Sequence, residues 1–230
     1  SWDVNNPRGK RAVELLHNDD SITEEEAIAY ALNIYDISAE PWQNALKTAV
    51  DAHGAEAMKS PDFAAAVEGI LAWQREFKPE ETATVVYKFW RLSCSNQIDV
   101  AAVGEGREIS ADDQKKMLEL LTAAVAEVTA KYGKWNPQWG EVHVNGRDGK
   151  YFPVGGADFG ANSDGPNFAE TLFDVRSKEL EDGSHRYIAN NGSGALMLVF
   201  LDPDGIRSYT TTPWGQSGRA DSPHFVDQAE

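Results

Sequence analysis

The sequence of 230 residues contains a single cysteine, Cys94, so it offers no pair for an internal disulfide bond. Cys94 would act as a nucleophile only beside a base that the sequence does not place, and we expect a small buried residue. No apolar run approaches the roughly 20 residues of a membrane-spanning helix, and the first ten residues lack the apolar core of a signal peptide. These absences exclude a disulfide scaffold and a spanning helix within these residues, and leave exported and cytosolic locations open.

Positive charge is also scarce. The chain has 21 Lys and Arg against 37 Asp and Glu, a formal net charge of −16. Because such a chain repels the phosphate backbone of a duplex, nucleic acid is not expected as a partner. The acidic residues are scattered along helical stretches, which favours a solvated surface. With 41% hydrophobic residues the chain can bury a core, as one large domain or two ordinary ones.

The motifs of several enzyme classes are missing. The sequence has no GxSxG, no phosphate-binding loop and no GxGxxG between a strand and a helix. The histidines are widely spaced and never form HxxxH or HExxH, so no zinc site is expected. They are His17, His53, His143, His185 and His224.

One stretch resembles part of a calcium-binding EF-hand loop. Asn162, Asp164 and Gly165 fit its third, fifth and sixth places. Gly160 and Thr171 stand where the loop requires carboxylates, and no helical pattern flanks it. We therefore predict a plain glycine-rich loop.

From residue 10 to about 132 the hydrophobic period is helical, and short connections favour antiparallel helices. The predicted boundary residues are Thr23 with Glu26 as a capping box, Ser38 and Gly54, Ser60 with Pro61, and Ser110 and Gly133. Ile28, Leu32 and Tyr35 follow the capping box at helical spacing. The predicted stripes are Trp42, Leu46, Ala49 and Val50; Phe63, Val67, Ile70, Leu71 and Phe77; and Leu118, Leu121, Val125 and Val128.

After residue 135 the composition turns to Gly, Asn and alternating apolar residues. Short strands EVHV and KYFPV flank NGRDG, whose Asn-Gly pair predicts a turn. FAETLFDVRS, HRYIANN and GALMLVFLDPDGIRSYTT read as further strands, with a tight turn at DPDG. The sequence thus predicts an α+β fold, with a helical segment at 1–134 and a β-rich segment at 135–230.

The ending WGQSGRADSPHFVDQ, residues 214–228, has neither a helical nor a strand period. It nevertheless contains Ser217, His224 and Asp227, the residue types of a serine triad. Three interpretations of this segment are open at this point: a catalytic loop, a metal site and a structural clamp.

This ending resembles the C-terminal signature of the penicillin acylase family of N-terminal-nucleophile hydrolases, which includes acyl-homoserine lactone acylases. There a Gly-Gln-Ser-Gly run, here residues 215–218, precedes His224, Phe225, Asp227 and Gln228. WNPQWGEVHV, YFPVGG and the strands before the ending are similar to the family too. The helices from PRGKRAVELLH to VEGILAWQREF extend the resemblance over nearly the whole chain.

The resemblance implies a C-terminal fragment of an amide hydrolase that cleaves an acyl group from an amine or lactam nucleus. Its helices would help wall the substrate cleft, and its strands would complete an αββα core. The nucleophilic serine and the oxyanion-hole asparagine would lie upstream, so no catalytic, substrate-binding or metal residue is assigned here. Ser1 is expected to be a fragment boundary, and Asn5 and Asn6 to belong to the entry into the helices.

The resemblance also implies partners. The fragment would be inactive alone and would pair with the upstream part of its precursor, which supplies the nucleophile and a small chain, or self-associate if isolated. No cofactor is expected in this chain, whereas a structural calcium is expected in the full-length parent. Export to the periplasm or secretion is implied. The alternative is a free-standing, non-catalytic binding or interaction module.

In this family the nucleophilic serine needs no histidine. We therefore expect residues 214–228 to act as a structural clamp rather than as a catalytic loop. Gly215 and Gly218 would permit tight turns. His224, Asp227 and Gln228 would supply hydrogen bonds that hold an irregular segment across the core.

Overall fold

A computed structural model gives the structure of the chain and describes residues 6–159 and 169–229. The α-helices in these ranges are α1 Pro7–His17, α2 Glu24–Ala31, α3 Ala39–His53, α4 Pro61–Ala72, α5 Thr84–Cys94, α6 Val100–Gly104, α7 Ala111–Tyr132 and α8 Trp139–Val142, with a 3₁₀ turn at Ala57–Lys59. None of these helices is both long and apolar enough to span a membrane.

The strands follow the helices in the chain. They are β1 His143–Arg147, β2 Lys150–Pro153, β3 Asp158–Phe159, β4 Ala169–Glu170, β5 Val175–Glu179, β6 Tyr187–Gly192, β7 Leu196–Asp202 and β8 Gly205–Thr211. A four-stranded sheet has the order β2-β1-β6-β5, in which only β1 and β6 are parallel. The other described strands pair as β3–β4 and as the hairpin β7–β8. The predicted α+β class is confirmed.

Capping chemistry fixes two helices as predicted. The Thr23 hydroxyl accepts a hydrogen bond from the Glu26 amide at 3.2 Å, and the Glu26 carboxylate accepts one from the Thr23 amide at 2.8 Å. The Ser110 hydroxyl accepts from the Asp113 amide at 3.1 Å. Gly133 ends α7 with a φ of +76°, a left-handed conformation that favours glycine. The sequence therefore determines these ends locally.

Two other predicted caps occupy the right positions without the expected chemistry. Ser38 and Ser60 stand at the N-caps of α3 and α4, but neither side chain caps its helix. The Ser38 hydroxyl instead donates to the buried Asp36 carboxylate. A local contact with Asp36 and a tertiary contact with Arg91 therefore replace the capping role of Ser38.

The helix predicted to reach Phe77 ends earlier, at Ala72. Arg75 has a φ of +67°, which no helix tolerates, and the following residues return as a bridge in which Tyr35 pairs with Glu76. Trp73 and Phe77 are buried there, 4.9 Å apart between ring centroids. Aromatic packing therefore overrides the helical pattern after Ala72.

The first hairpin turns at a different place from the one predicted. Asn145 and Gly146 lie inside β1, and the turn is made by Asp148 and Gly149, with φ of +50° and +81°. These left-handed values fit the two-residue turn that an Asp-Gly pair favours. The Asn145 amide donates instead to the Pro213 carbonyl. The DPDG turn between β7 and β8 is confirmed.

One apolar core serves both halves of the chain. The stripes predicted for α3 and α7 are buried apart from Val50, which is partly exposed. Phe77 packs on Trp139 of α8 at 4.7 Å and on Phe159 of β3 at 5.6 Å between ring centroids. The helices and the strands that follow them therefore share this core.

A buried ion pair lies within this core. The Arg91 guanidinium donates to the Asp36 carboxylate at 3.3 Å, the Ser38 hydroxyl at 2.9 Å and the Tyr87 hydroxyl at 2.7 Å. Side-chain exposure is 1% for Arg91 and 0% for Asp36. The guanidinium also lies 4.9 Å from the Trp42 ring centroid. This network fastens α5 to the loop that precedes α3.

We expect Arg91→Met to lower the free energy of unfolding by about 3–5 kcal/mol, because it leaves the Asp36 charge buried without its partner. The double variant Asp36→Leu/Arg91→Met should recover a large part of that loss. Urea unfolding of both variants measures these values. A loss below about 1 kcal/mol for the single variant would contradict the role of the pair.

Candidate functional site

The terminal segment, residues 212–229, is held mainly by Arg147 of β1. The Arg147 guanidinium donates to the carbonyls of Ser217 and Phe225, the latter at 2.6 Å. It also lies over two rings, 4.0 Å from the centroid of Phe225 and 5.4 Å from that of Trp214. Because carbonyl bonds and ring contacts converge on one cation, Arg147 stabilises the irregular backbone.

Gln228 supplies the clamp contact predicted for it. Its side-chain oxygen accepts from the Thr212 amide at 2.7 Å and the Thr212 hydroxyl at 2.8 Å. Gly215 is needed because a Cβ there would collide with the His224 carbonyl and the Asp227 carboxylate. The chain bends at Gly218, but this residue has open space around it and no left-handed φ, so a glycine is not required there.

His224 and Asp227 do not pin the segment as expected. His224 Nδ1 lies 2.8 Å from an Asp227 carboxylate oxygen, and both side chains are exposed. The Ser217 hydroxyl accepts from the Arg219 amide at 3.2 Å, and the Ser222 hydroxyl accepts from the His224 amide at 3.1 Å. Within residues 169–229, no serine hydroxyl is hydrogen-bonded to the His224 ring, so the geometry is not that of a serine triad.

A cleft of about 350 Å³ lies between β6 and the terminal segment. Asn145, Asn190, Asn191 and Ser193 contribute polar groups to its lining, and Trp214 contributes an aromatic face. Asp174 also lines the cleft, but the Ser193 hydroxyl accepts a hydrogen bond from the Asp174 backbone amide at 3.1 Å rather than donating to its carboxylate. The cleft therefore suits binding or packing rather than covalent chemistry.

A second buried polar pair joins the helices to the sheet. Lys88 Nζ of α5 lies 2.8 Å from His143 Nε2 of β1 and 3.9 Å from the ring centroid of Tyr187 on β6. The His143 ring stacks on Trp139 with centroids 3.5 Å apart. Burial lowers the pKa of Lys88 to about 7, and burial together with the Lys88 charge holds the pKa of His143 well below its usual range.

Three carboxylates form a third polar group beside β3. Asp158, Glu170 and Asp174 each offer an oxygen within 4.8 Å of those of the others. Burial, and then the neighbouring Asp174 charge, raise the pKa of Asp158 to about 7. Burial also raises the pKa of Glu170. Arg8 and Arg176 flank the group, so two positive charges face three acidic side chains.

Several residues singled out in the sequence lie elsewhere. Ser1, Asn5 and the loop residues 160–168 fall outside the described residues. Asn6 caps α1 by accepting from the Gly9 amide at 2.8 Å, which confirms its place at the entry into the helices. Thr171 is buried and donates to the Phe173 carbonyl at 2.6 Å.

The remaining candidates also occupy ordinary structural positions. Cys94 is buried, and burial raises the pKa of its thiol to about 12, so it is not a thiolate nucleophile. His185 pairs with Glu179 at 2.7 Å, and His17 and His53 end α1 and α3. Cys94 as a small buried residue is confirmed.

Sequence reasoning did not single out Arg147, Lys88 or the three carboxylates. For Lys88 a signal existed, because TVVYKFWRLSC is apolar on almost every side, and basic residues at positions 88 and 91 of such a helix must be buried. For Arg147 and the carboxylates, the partners come together only in the folded chain.

The described residues form an α+β fold in which Arg91, Lys88 and Arg147 make core or backbone contacts. The family model for penicillin amidase matches residues 1–230, the whole chain. The chain therefore belongs to the penicillin amidase family, whose members are acylase-type hydrolases.

We expect Arg147→Met to lower the free energy of unfolding by about 2–3 kcal/mol, because partly buried carbonyls lose a charged donor. His224→Ala, which breaks an exposed pair, should cost less than about 1 kcal/mol. Urea unfolding compares the two variants. Equal losses would contradict Arg147 as the main anchor of the terminal segment.

The low pKa of Lys88 predicts a pH dependence of stability. Between about 7 and the ordinary value of 10.5, the unfolded chain binds a proton that the folded chain does not. Stability therefore falls as the pH drops from 9 to 7, by about 1–2 kcal/mol. Lys88→Met should remove this slope in urea unfolding at the two pH values. An unchanged slope would show that Lys88 keeps its charge in the folded protein.

Proposed function

We propose that this chain is the C-terminal part of an N-terminal-nucleophile amide hydrolase and that the catalytic serine lies upstream of it. In this class the serine oxygen attacks the amide carbonyl, and the serine's own α-amine takes the hydroxyl proton and passes it to the leaving amine. Water then hydrolyses the acyl-enzyme, with an oxyanion hole stabilising each tetrahedral intermediate. None of these groups is assigned to the described residues.

The observation that carries the proposal is the hairpin β7–β8. On its outward face, the exposed fraction is 73% for Met197, 77% for Leu201 and 72% for Ile206. Neither strand pairs with another strand of residues 6–159 or 169–229. Exposed apolar side chains on a two-stranded sheet with free edges indicate a surface that another part of the enzyme covers.

The opposite face of the hairpin packs against α2. Arg207 of β8 pairs with Glu24 of α2 at 2.7 Å. Ile28, Leu32 and Leu198 line a shallow apolar groove between α2 and the hairpin. Because α2 holds one face and leaves the other open, the hairpin is positioned as one layer of a larger sheet structure.

The polar groups of the chain support a scaffolding role. Arg91, Lys88 and Arg147 are engaged in core or backbone contacts. Cys94 is buried in its protonated form at neutral pH. We infer that the helical segment walls the substrate cleft and that the strands complete the αββα core, while the terminal segment clamps the assembly.

The same proposal covers location and metal content. The enzyme is exported to the periplasm or secreted, and the single buried thiol is compatible with an oxidising compartment. Its structural calcium is bound by the upstream part.

The test is reconstitution. Residues 1–230 alone should not hydrolyse a chromogenic acyl amide, whereas the same chain with the upstream part of its precursor should. Leu201→Lys on the outward hairpin face should weaken association with the upstream part at least tenfold, because it buries a charge in an apolar contact. Isothermal titration calorimetry measures the affinity, and released chromophore measures turnover.

Leu92→Lys is the matched control, since Leu92 is an exposed apolar residue on α5, outside the hairpin. It should associate like the unaltered chain. Turnover by residues 1–230 alone that disappears when Ser1 is blocked would refute the proposal and identify Ser1 as the nucleophile. Equal association of both lysine variants would refute the hairpin as the contact surface.

A further inference from the structure

The carboxylates of Asp158, Glu170 and Asp174 lie close together, although like negative charges repel one another. Asp158 of β3 and Glu170 of β4 lie directly opposite each other in the antiparallel pair. Like charges in that position destabilise a sheet. Asp174, in the loop before β5, adds a third carboxylate whose oxygen lies within 4.8 Å of the other two.

All three side chains are almost fully buried. The exposed fraction of the side chain is 5% for Asp158, 4% for Glu170 and 5% for Asp174. Glu170 Oε2 and Asp174 Oδ1 are buried and accept no hydrogen bond from residues 6–159 or 169–229. A buried carboxylate oxygen without a donor costs several kcal/mol in general. These oxygens therefore have the capacity to bind one more positively charged group.

The Arg8 guanidinium does not fill that capacity, although the Arg8 backbone amide donates a hydrogen bond to the Glu170 carboxylate. Arg8 Nη1 lies 3.8 Å from Glu170 Oε1 and 3.8 Å from Asp174 Oδ2, beyond hydrogen-bond distance. Arg176 contacts Asp158 and lies 3.8 Å from Asp174 Oδ2. The Arg8 and Arg176 side chains are 39% and 51% exposed, so much of their charge faces water.

We propose that Asp158, Glu170 and Asp174 form a binding site for one calcium ion. Calcium binds carboxylate oxygens at about 2.3–2.6 Å, so oxygens on opposite sides of one ion lie at most about 5 Å apart. It tolerates irregular coordination completed by water, and Asp174 borders the cleft of about 350 Å³ beside β6. Magnesium requires a tighter octahedron and fits this spacing less well.

The bound ion would fasten β3, β4 and the start of β5 to one another. Arg8 would remain outside as the link to α1, where its guanidinium also donates to the Leu172 carbonyl at 3.2 Å. The site would therefore stabilise the junction between α1 and the strands. The resemblance places the family's structural calcium ligands upstream, so this site is additional to that one.

The experiment compares calcium binding by the mature protein that carries this chain with binding by its Glu170→Gln variant, after removal of bound metal with a chelator. Isothermal titration with calcium chloride should show one site fewer, or one site at least tenfold weaker, in the variant. Calcium should raise the Tm of the unaltered protein by a few degrees, and this rise should be smaller in Glu170→Gln.

Asp182→Asn is the matched control, because Asp182 is an exposed carboxylate on the turn between β5 and β6. It should bind calcium like the unaltered protein. Asp174→Asn, which has nearly the same shape as the original residue, is the second variant if Glu170→Gln does not fold.

The alternative is that the carboxylates share a proton. In that case removing one charge raises the Tm in chelator, and calcium stoichiometry, affinity and the calcium-dependent rise in Tm are the same with and without Glu170→Gln. That result would overturn the proposal. Loss of the site in Glu170→Gln or Asp174→Asn, with Asp182→Asn unchanged, would support it.

Discussion

The buried pair of Arg91 and Asp36 is the contact on which the arrangement of both halves depends. Arg91 reaches the loop before α3 through Asp36 and Ser38, and its guanidinium also lies 5.9 Å from the Phe159 ring of β3. A guanidinium buried in apolar surroundings must keep Asp36 in particular, since losing this carboxylate leaves an uncompensated buried charge. The pair therefore fixes the register of α5, from which Lys88 reaches the sheet.

Sequence patterns predicted the elements whose ends are set locally. The capping box at Thr23 and the left-handed Gly133 depend on residues within one turn. The β7–β8 hairpin followed from its strand-like runs and the DPDG turn, but the sequence did not predict that one of its faces is exposed. Helix α5 was not singled out, although its sequence places Lys88 and Arg91 among apolar residues on almost every side.

The polar sites were harder to predict for a related reason. The Asn-Gly and Asp-Gly pairs are equivalent turn signals in sequence, and the contact of Asn145 with Pro213 distinguishes them only after folding. Likewise Arg147 and Asp174 obtain their partners from residues distant in the chain. The ending that looks most like a catalytic loop is held by an arginine on a strand, and its histidine faces solvent. Residue types indicated chemistry there, but the contacts indicate packing.

The central claim is that this chain supports catalysis without supplying the nucleophile. Intact-mass spectrometry of the mature enzyme, quenched during turnover of a slowly hydrolysed acyl amide, tests it most directly. The account predicts that the acyl mass is found on a residue upstream of this chain and that peptides from residues 1–230 are unmodified. An acyl group on Ser1, Ser217, Cys94 or any other residue of this chain would contradict it.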